Sequence, residues 1–108
     1  MIKVKLTKNG DCLNKITISG HANYNEFGKD IVCASVSSTV ITTINILLSL
    51  DKDSISYDNT KGLIIDILKD DDTTKKIINV LVSNLLELER AYPKNIQIKE
   101  ENNEINAI

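Results

Sequence analysis

A histidine and a cysteine, twelve positions apart, are the residues best suited to covalent chemistry in this sequence. His21 is the only histidine of the chain, and Cys33 is one of two cysteines. A thiolate can attack a carbonyl carbon, while an imidazole accepts the thiol proton and later protonates the leaving amine. The pair is therefore the minimum equipment for nucleophilic acyl transfer.

The local sequence favours a reactive thiol at Cys33. Asp30 is a suitable N-cap for a helix that begins at Ile31, which would make Cys33 the third helical residue. The backbone N–H groups and the positive dipole at a helix start lower the pKa of a thiol and can bind an oxyanion beside it. Ser37 follows one turn later on the same face, within reach of the thiol or a substrate.

Structural roles explain the same residues. A cysteine in the first turn of a buried helix is commonly a small core residue, and a histidine that follows a glycine at a strand end, as His21 follows Gly20, is commonly a turn residue. Asp30 can cap the helix whether or not it also orients His21. The residues alone therefore leave a catalytic pair and a structural pair both open.

No metal or other cofactor is expected. Two cysteines and one histidine without a Cys-x-x-Cys pair do not supply a zinc site. Cys12 lies beside a turn and is interpreted as incidental. The acidic run at residues 70–72 lacks the spaced ligand loop of a calcium site and is interpreted as charge at a helix start.

The composition is that of one soluble globular domain. The chain has 108 residues, 42% apolar and 26% charged, with 4% aromatic residues, so the core should be aliphatic. A net charge of −2 argues against direct nucleic-acid binding and is compatible with a basic protein partner. Apolar runs are short and the amino terminus lacks a signal-peptide pattern, so we expect no membrane span and a cytoplasmic location.

Hydropathy patterns predict a β-β-α-β-β-α-β order and an α+β fold, with two helices packed on one face of a mostly antiparallel sheet. The alternation of apolar residues in the second strand shifts by one position near Asn14, where a bulge is expected. The predicted elements are strands at 2–8 and 13–19, a helix at 31–50, a hairpin at 54–58 and 62–68, a helix of about 19 residues after the acidic run, and a strand at 94–99. We assign residues 1–99 to the domain and 100–108 to a frayed polar tail.

Residues 20–29 form a long predicted loop between the histidine and the cysteine. Gly20 and Gly28 bracket it, and small and polar residues dominate it. Long loops in small domains commonly carry function. Tyr24 and Phe27 can grip a substrate side chain or simply pack the loop.

The residues around this loop resemble the signature of the Prp family of ribosomal-processing cysteine proteases. The matching segments are Gly20-His21-Ala22, then Gly28, then Asp30-Ile31-Val32-Cys33-Ala34-Ser35-Val36-Ser37. The resemblance covers nearly the whole chain except about the last eight residues. Ser35 stands where a small apolar residue is frequent, a difference that concerns packing rather than chemistry.

The resemblance implies a homodimeric cysteine endopeptidase that removes the N-terminal extension of large-subunit ribosomal protein twenty-seven. Cys33 would be the nucleophile and His21 the base. Gly20, Asp30 and Ser37 would have supporting roles. A mobile loop over residues 22–32 would contact the substrate through Ala22, Tyr24, Phe27 and Gly28. The alternatives are a non-catalytic module that binds a ribosomal protein or assembly partner, and a thiol-dependent amidase.

Overall fold

The predicted order of elements is confirmed. The computed structural model describes residues 1–20 and 31–103. The elements are β1 (Ile2–Asn9), β2 (Cys12–Ser19), α1 (Ile31–Leu50), β3 (Ile55–Asp58), β4 (Leu63–Ile67), α2 (Asp72–Ala91) and β5 (Ile96–Asn102).

Alternation along β1 decides which face of the sheet is covered. Val4 and Leu6 are buried while Lys3 and Lys5 are exposed, as a strand with one solvated face requires. β1 turns at Gly10 into antiparallel β2. The strand order is β3-β4-β2-β1-β5, with β5 parallel to β1 and the other three pairs antiparallel.

The predicted bulge is confirmed. Thr7 pairs with Lys15, but the next residue, Lys8, pairs with Leu13, so Asn14 is the extra residue of β2. The bulge resets the phase of the strand, so Leu13 packs against the core on the same side as Ile16.

α1 packs one side onto the core and leaves large apolar residues on its other sides. Its buried residues are Val32, Val36, Val40, Thr43, Ile44 and Leu47. Ile41 and Leu50 remain 56% and 63% exposed. By length and composition alone α1 would suffice to cross a membrane, a result that the short apolar runs did not lead us to expect. A core helix passes the same test, and the buried face of α1 belongs to the core of this domain.

α2 covers the β1–β5 side of the sheet. Asp71 caps it by accepting a hydrogen bond from the Thr74 backbone N–H at 2.8 Å. Ile78, Leu81 and Leu85 are buried against the sheet and α1. The two helices are therefore held by one aliphatic core, as the composition indicated.

The last strand runs further than predicted. β5 continues past Lys99 to Asn102, so the polar segment begins as paired strand. Glu100 pairs in register with Leu6, and its carboxylate lies 2.6 Å from the Lys8 amine. The acidic residues of this extension therefore lie near lysines of β1 at diagonal positions, Glu100 near Lys8 and Glu101 near Lys5.

Candidate active site

The structure describes three of the predicted site residues. These are Gly20, Cys33 and Ser37. The other predicted site residues lie outside the described residues: His21, Ala22, Tyr24, Phe27, Gly28 and Asp30. The site is therefore built from the two elements that flank this segment, the end of β2 and the start of α1.

α1 begins at Ile31, so Cys33 is its third residue, as predicted. Val32 is fully buried and anchors the first turn, while Cys33 is half-buried and packs against the core. The N–H groups in the first turn of a helix point out of its start, where the helix dipole is positive. This position suits a thiolate nucleophile and an oxyanion beside it.

Gly20 ends β2 in a conformation that favours glycine. Its φ of +87° lies in the left-handed region. A Cβ at this position would collide with the backbone carbonyl oxygen of Met1. The sequence therefore needs glycine here for two reasons, the backbone conformation and the close approach of the chain's first residue. Both fix the direction in which the chain leaves β2 toward the predicted base.

A second glycine brings the β3–β4 hairpin close to the end of β2. Gly62, with φ of +84°, precedes β4, and a Cβ there would lie 3.0 Å from the Ile18 carbonyl oxygen. A side chain would push the hairpin away from β2 by a few tenths of an ångström. Gly62 therefore allows the hairpin to approach the end of β2, which forms the floor of the space between the hairpin and α1.

That space is a cleft of about 490 Å³, which we call the α1–hairpin cleft. It contains both Gly20, next to the predicted base, and Ser37, one turn after the predicted nucleophile. None of the described residues that line it is charged. They are Ile18, Ser19, Gly20, Val36, Ser37, Val40, Ile41, Ile44, Asn45, Tyr57, Asn59, Gly62 and Leu63.

Sequence reasoning missed three residues that line this cleft. Tyr57 and Asn59 come from the hairpin and form the wall opposite α1, and Asn45 belongs to α1 itself. The alternation of Ile55 and Tyr57 does indicate that they share a face of β3. Nothing in the sequence indicates that α1 leaves this end of the face open.

A short ion pair lies at the carboxyl end of α1, away from Cys33. Lys69 donates to the Asp51 carboxylate at 2.6 Å, which lowers the pKa of Asp51 and raises the pKa of Lys69. A helix of this length separates Asp51 from Cys33 by roughly 27 Å along its axis, at 1.5 Å per residue. This pair therefore belongs to the scaffold, not to the site.

Comparison with known proteins agrees with this geometry. Residues 1–97 match the family described as cysteine protease Prp. The chain belongs to the Prp family of cysteine proteases. The resemblance stated from the sequence is thereby confirmed, and the chain is assigned as a cysteine protease.

Two Prp relatives cover nearly all of the chain. The ribosomal processing cysteine protease Prp of Mycoplasma genitalium is 30% identical over 107 residues, which span 96% of this chain and all of that protein. Its Staphylococcus aureus counterpart is 29% identical over 103 residues, with 91% and 97% coverage.

A solved structure of S. aureus Prp holds a covalently linked product peptide. It superposes on this chain with a TM-score of 0.80 at 28% identity, covering 94% of this chain and all of that one. The α+β fold predicted from the sequence is therefore confirmed.

Proposed function

We propose that this chain removes the N-terminal extension of large-subunit ribosomal protein twenty-seven, with Cys33 as nucleophile and His21 as base. The observation that carries the proposal is the α1–hairpin cleft. It meets the end of β2 just before His21, and its lining on α1 begins at Val36 and Ser37, about one turn after Cys33. We expect an extended peptide in this cleft to continue toward the two predicted catalytic residues. The naming of the two Prp relatives as ribosomal processing proteases supports the choice of substrate.

The proposed reaction gives each group one role. His21 takes the proton of Cys33, and the thiolate attacks the scissile carbonyl carbon. Backbone N–H groups at the start of α1 stabilise the oxyanion. His21 then gives its proton to the leaving amine, and water hydrolyses the thioester to release the new carboxylate. The covalently linked product peptide in S. aureus Prp supports a covalent path.

The other predicted site residues have roles around this dyad. Gly20 sets the exit of the chain toward His21, and Ser37 lines the cleft. We propose that Asp30 caps α1 and orients His21, and that residues 22–30 close over the peptide. The predicted loop over 22–32 was too long by two residues, because Ile31 and Val32 belong to α1 and Val32 is buried in the core. A net charge of −2 favours encounter with a basic ribosomal protein in the cytoplasm.

We further propose that a second copy covers the outer face of α1. Ile31 and Ile46 are 51% and 44% exposed on a side of the helix that also carries small residues, Ser35 and Ser38 among them. A groove of about 760 Å³ between α1 and α2 borders this side and contains Ile31. Light scattering after gel filtration should give a dimer mass for the wild type and a monomer mass for Ile46→Glu. A wild-type monomer at high concentration would contradict the proposal.

The test of the cleavage reaction uses the second cysteine as its control. Extended ribosomal protein twenty-seven is mixed with the wild type, Cys33→Ala, His21→Ala or Cys12→Ala, and the products are weighed by mass spectrometry. The wild type and Cys12→Ala should remove one N-terminal peptide. Cys33→Ala and His21→Ala should be slower by about a thousandfold or more. Cleavage by Cys33→Ala at the wild-type rate would refute the mechanism. If the wild type leaves the protein intact, ribosomal protein twenty-seven is not its substrate.

A further inference from the structure

The tyrosine in the α1–hairpin cleft is more exposed than its position on the sheet predicts. Tyr57 pairs with Ile65 across β3 and β4, and Ile65 is only 1% exposed on the face that the helices cover. Tyr57 points to that same face but remains 54% exposed. A large side chain on the covered face of a sheet is normally buried. Tyr57 is open because the cleft separates it from α1.

The opposite wall of the cleft, on α1, is mostly apolar. Ile41 lines it together with Val40 and Ile44, and Ile41 is 56% exposed. Asn45 and Asn59 provide amide groups on the two sides. A side chain that enters here would meet an aromatic ring on one wall and an isoleucine on the other.

The described lining of the cleft is uncharged. A lysine or glutamate buried against these residues would lose hydration without gaining an ion pair from them. Large uncharged side chains gain most from such a site, because an aromatic wall gives much contact area with few rotatable bonds to fix.

We infer that Tyr57 determines which substrate side chain is accepted beside the scissile bond, by closing the hairpin side of the cleft. This inference rests on the proposed function and refines it, since the same cleft binds the peptide. Tyr57 does not act on the reacting atoms. It provides a contact surface on the hairpin, whose close approach to the end of β2 depends on Gly62.

The experiment measures how Tyr57 changes preference rather than overall rate. Peptides spanning the cleavage site, each with one residue near the scissile bond changed to Phe, Leu, Ala or Lys, are cleaved by the wild type, Tyr57→Ala and Tyr57→Phe. Tyr57→Ala should lower kcat/KM for the best large apolar peptide by about tenfold, mainly through KM, and should leave the alanine peptide nearly unchanged. Tyr57→Phe keeps the ring and should retain the wild-type preference.

A matched control separates this role from a general loss of stability. Leu68→Ala removes an exposed large apolar residue (58% exposed) outside the cleft and should cleave every peptide at the wild-type rate. The rate of Cys33 alkylation should be the same in all variants, because the nucleophile is untouched. A uniform decrease on all peptides, or no change in preference, would overturn the role of Tyr57 while leaving the protease proposal intact. Failure of the wild type to cleave any peptide would overturn both.

Discussion

Gly20 is the residue near the predicted site whose identity is most constrained by backbone geometry. Two independent constraints act on it, a φ of +87° and the nearby carbonyl oxygen of Met1. The second constraint joins the start of the chain to the end of β2, where the predicted catalytic segment begins. Ile2 is itself held by a backbone hydrogen bond to the Asn95 carbonyl at 2.7 Å. The first residues of the chain are thus part of the scaffold of the site.

Gly20→Ala should destabilise the domain by about 2–3 kcal/mol, since an alanine would be strained in φ and would also displace Met1. Gly62→Ala should cost less, because its Cβ would lie 3.0 Å from Ile18 O, a contact that a small shift relieves. Urea unfolding followed by circular dichroism measures both. Ser19→Ala, on the neighbouring exposed position, is the control and should be close to the wild type. Equal stability of Gly20→Ala and Ser19→Ala would show that the Met1 contact carries no cost.

At the scale of elements, the N-cap of α2 makes the stability of the fold depend on pH. Asp71 accepts a hydrogen bond from the Thr74 backbone N–H, and this bond lowers the pKa of the Asp71 carboxyl below its ordinary value of 3.8. A carboxyl whose pKa is lower in the folded state stabilises the fold above its unfolded pKa. That stabilisation is lost as pH falls through the folded pKa.

Asp71→Asn tests this coupling, because asparagine is an equally good N-cap that does not titrate. Near neutral pH its Tm should lie close to that of the wild type, and its Tm should fall less steeply below about pH 4. Asp71→Ala should lose several degrees at neutral pH as well. Asp72→Asn removes a charge from the same turn with the cap bond intact, so it should keep the acid dependence of the wild type. Parallel acid curves for Asp71→Asn and the wild type would contradict the prediction.

The elements also show how far the sequence could be interpreted. The spacing of apolar residues, every second residue in strands and every third or fourth in helices, predicted every element. The shift of this alternation at Asn14 predicted the bulge. The extension of β5 was missed because Glu100 and Glu101 look like solvent-exposed tail, whereas strand pairing places them near lysines of β1. The cap and spacing signals placed Cys33 and Ser37 on α1, where the structure has them. Tyr57 could not be assigned to the cleft, since this depends on how far α1 extends over the hairpin, a tertiary property.

At the scale of the whole molecule, the two edges of the sheet differ. β3, beside the cleft, forms one edge, and β5 forms the other. The β5 edge is covered from α2, where the Glu89 carboxylate accepts a hydrogen bond from the Ile98 N–H at 2.8 Å. An uncovered edge is a template for pairing with another chain. Glu89 therefore protects the domain from edge-to-edge association on the side away from the cleft.

Glu89→Ala should lower the free energy of unfolding by about 1–2 kcal/mol, because the Ile98 N–H loses a charge-assisted bond in a partly buried place. The variant should also aggregate earlier on heating, since the exposed amide can pair with a second molecule. Glu89→Gln keeps an acceptor oxygen and removes the charge, so it should lie between the wild type and Glu89→Ala in both measurements. Static light scattering during a thermal ramp, combined with urea unfolding, distinguishes the two effects. If Glu89→Ala loses stability without earlier aggregation, Glu89 only anchors α2 to β5; if neither changes, the edge is protected by the charges of β5 itself.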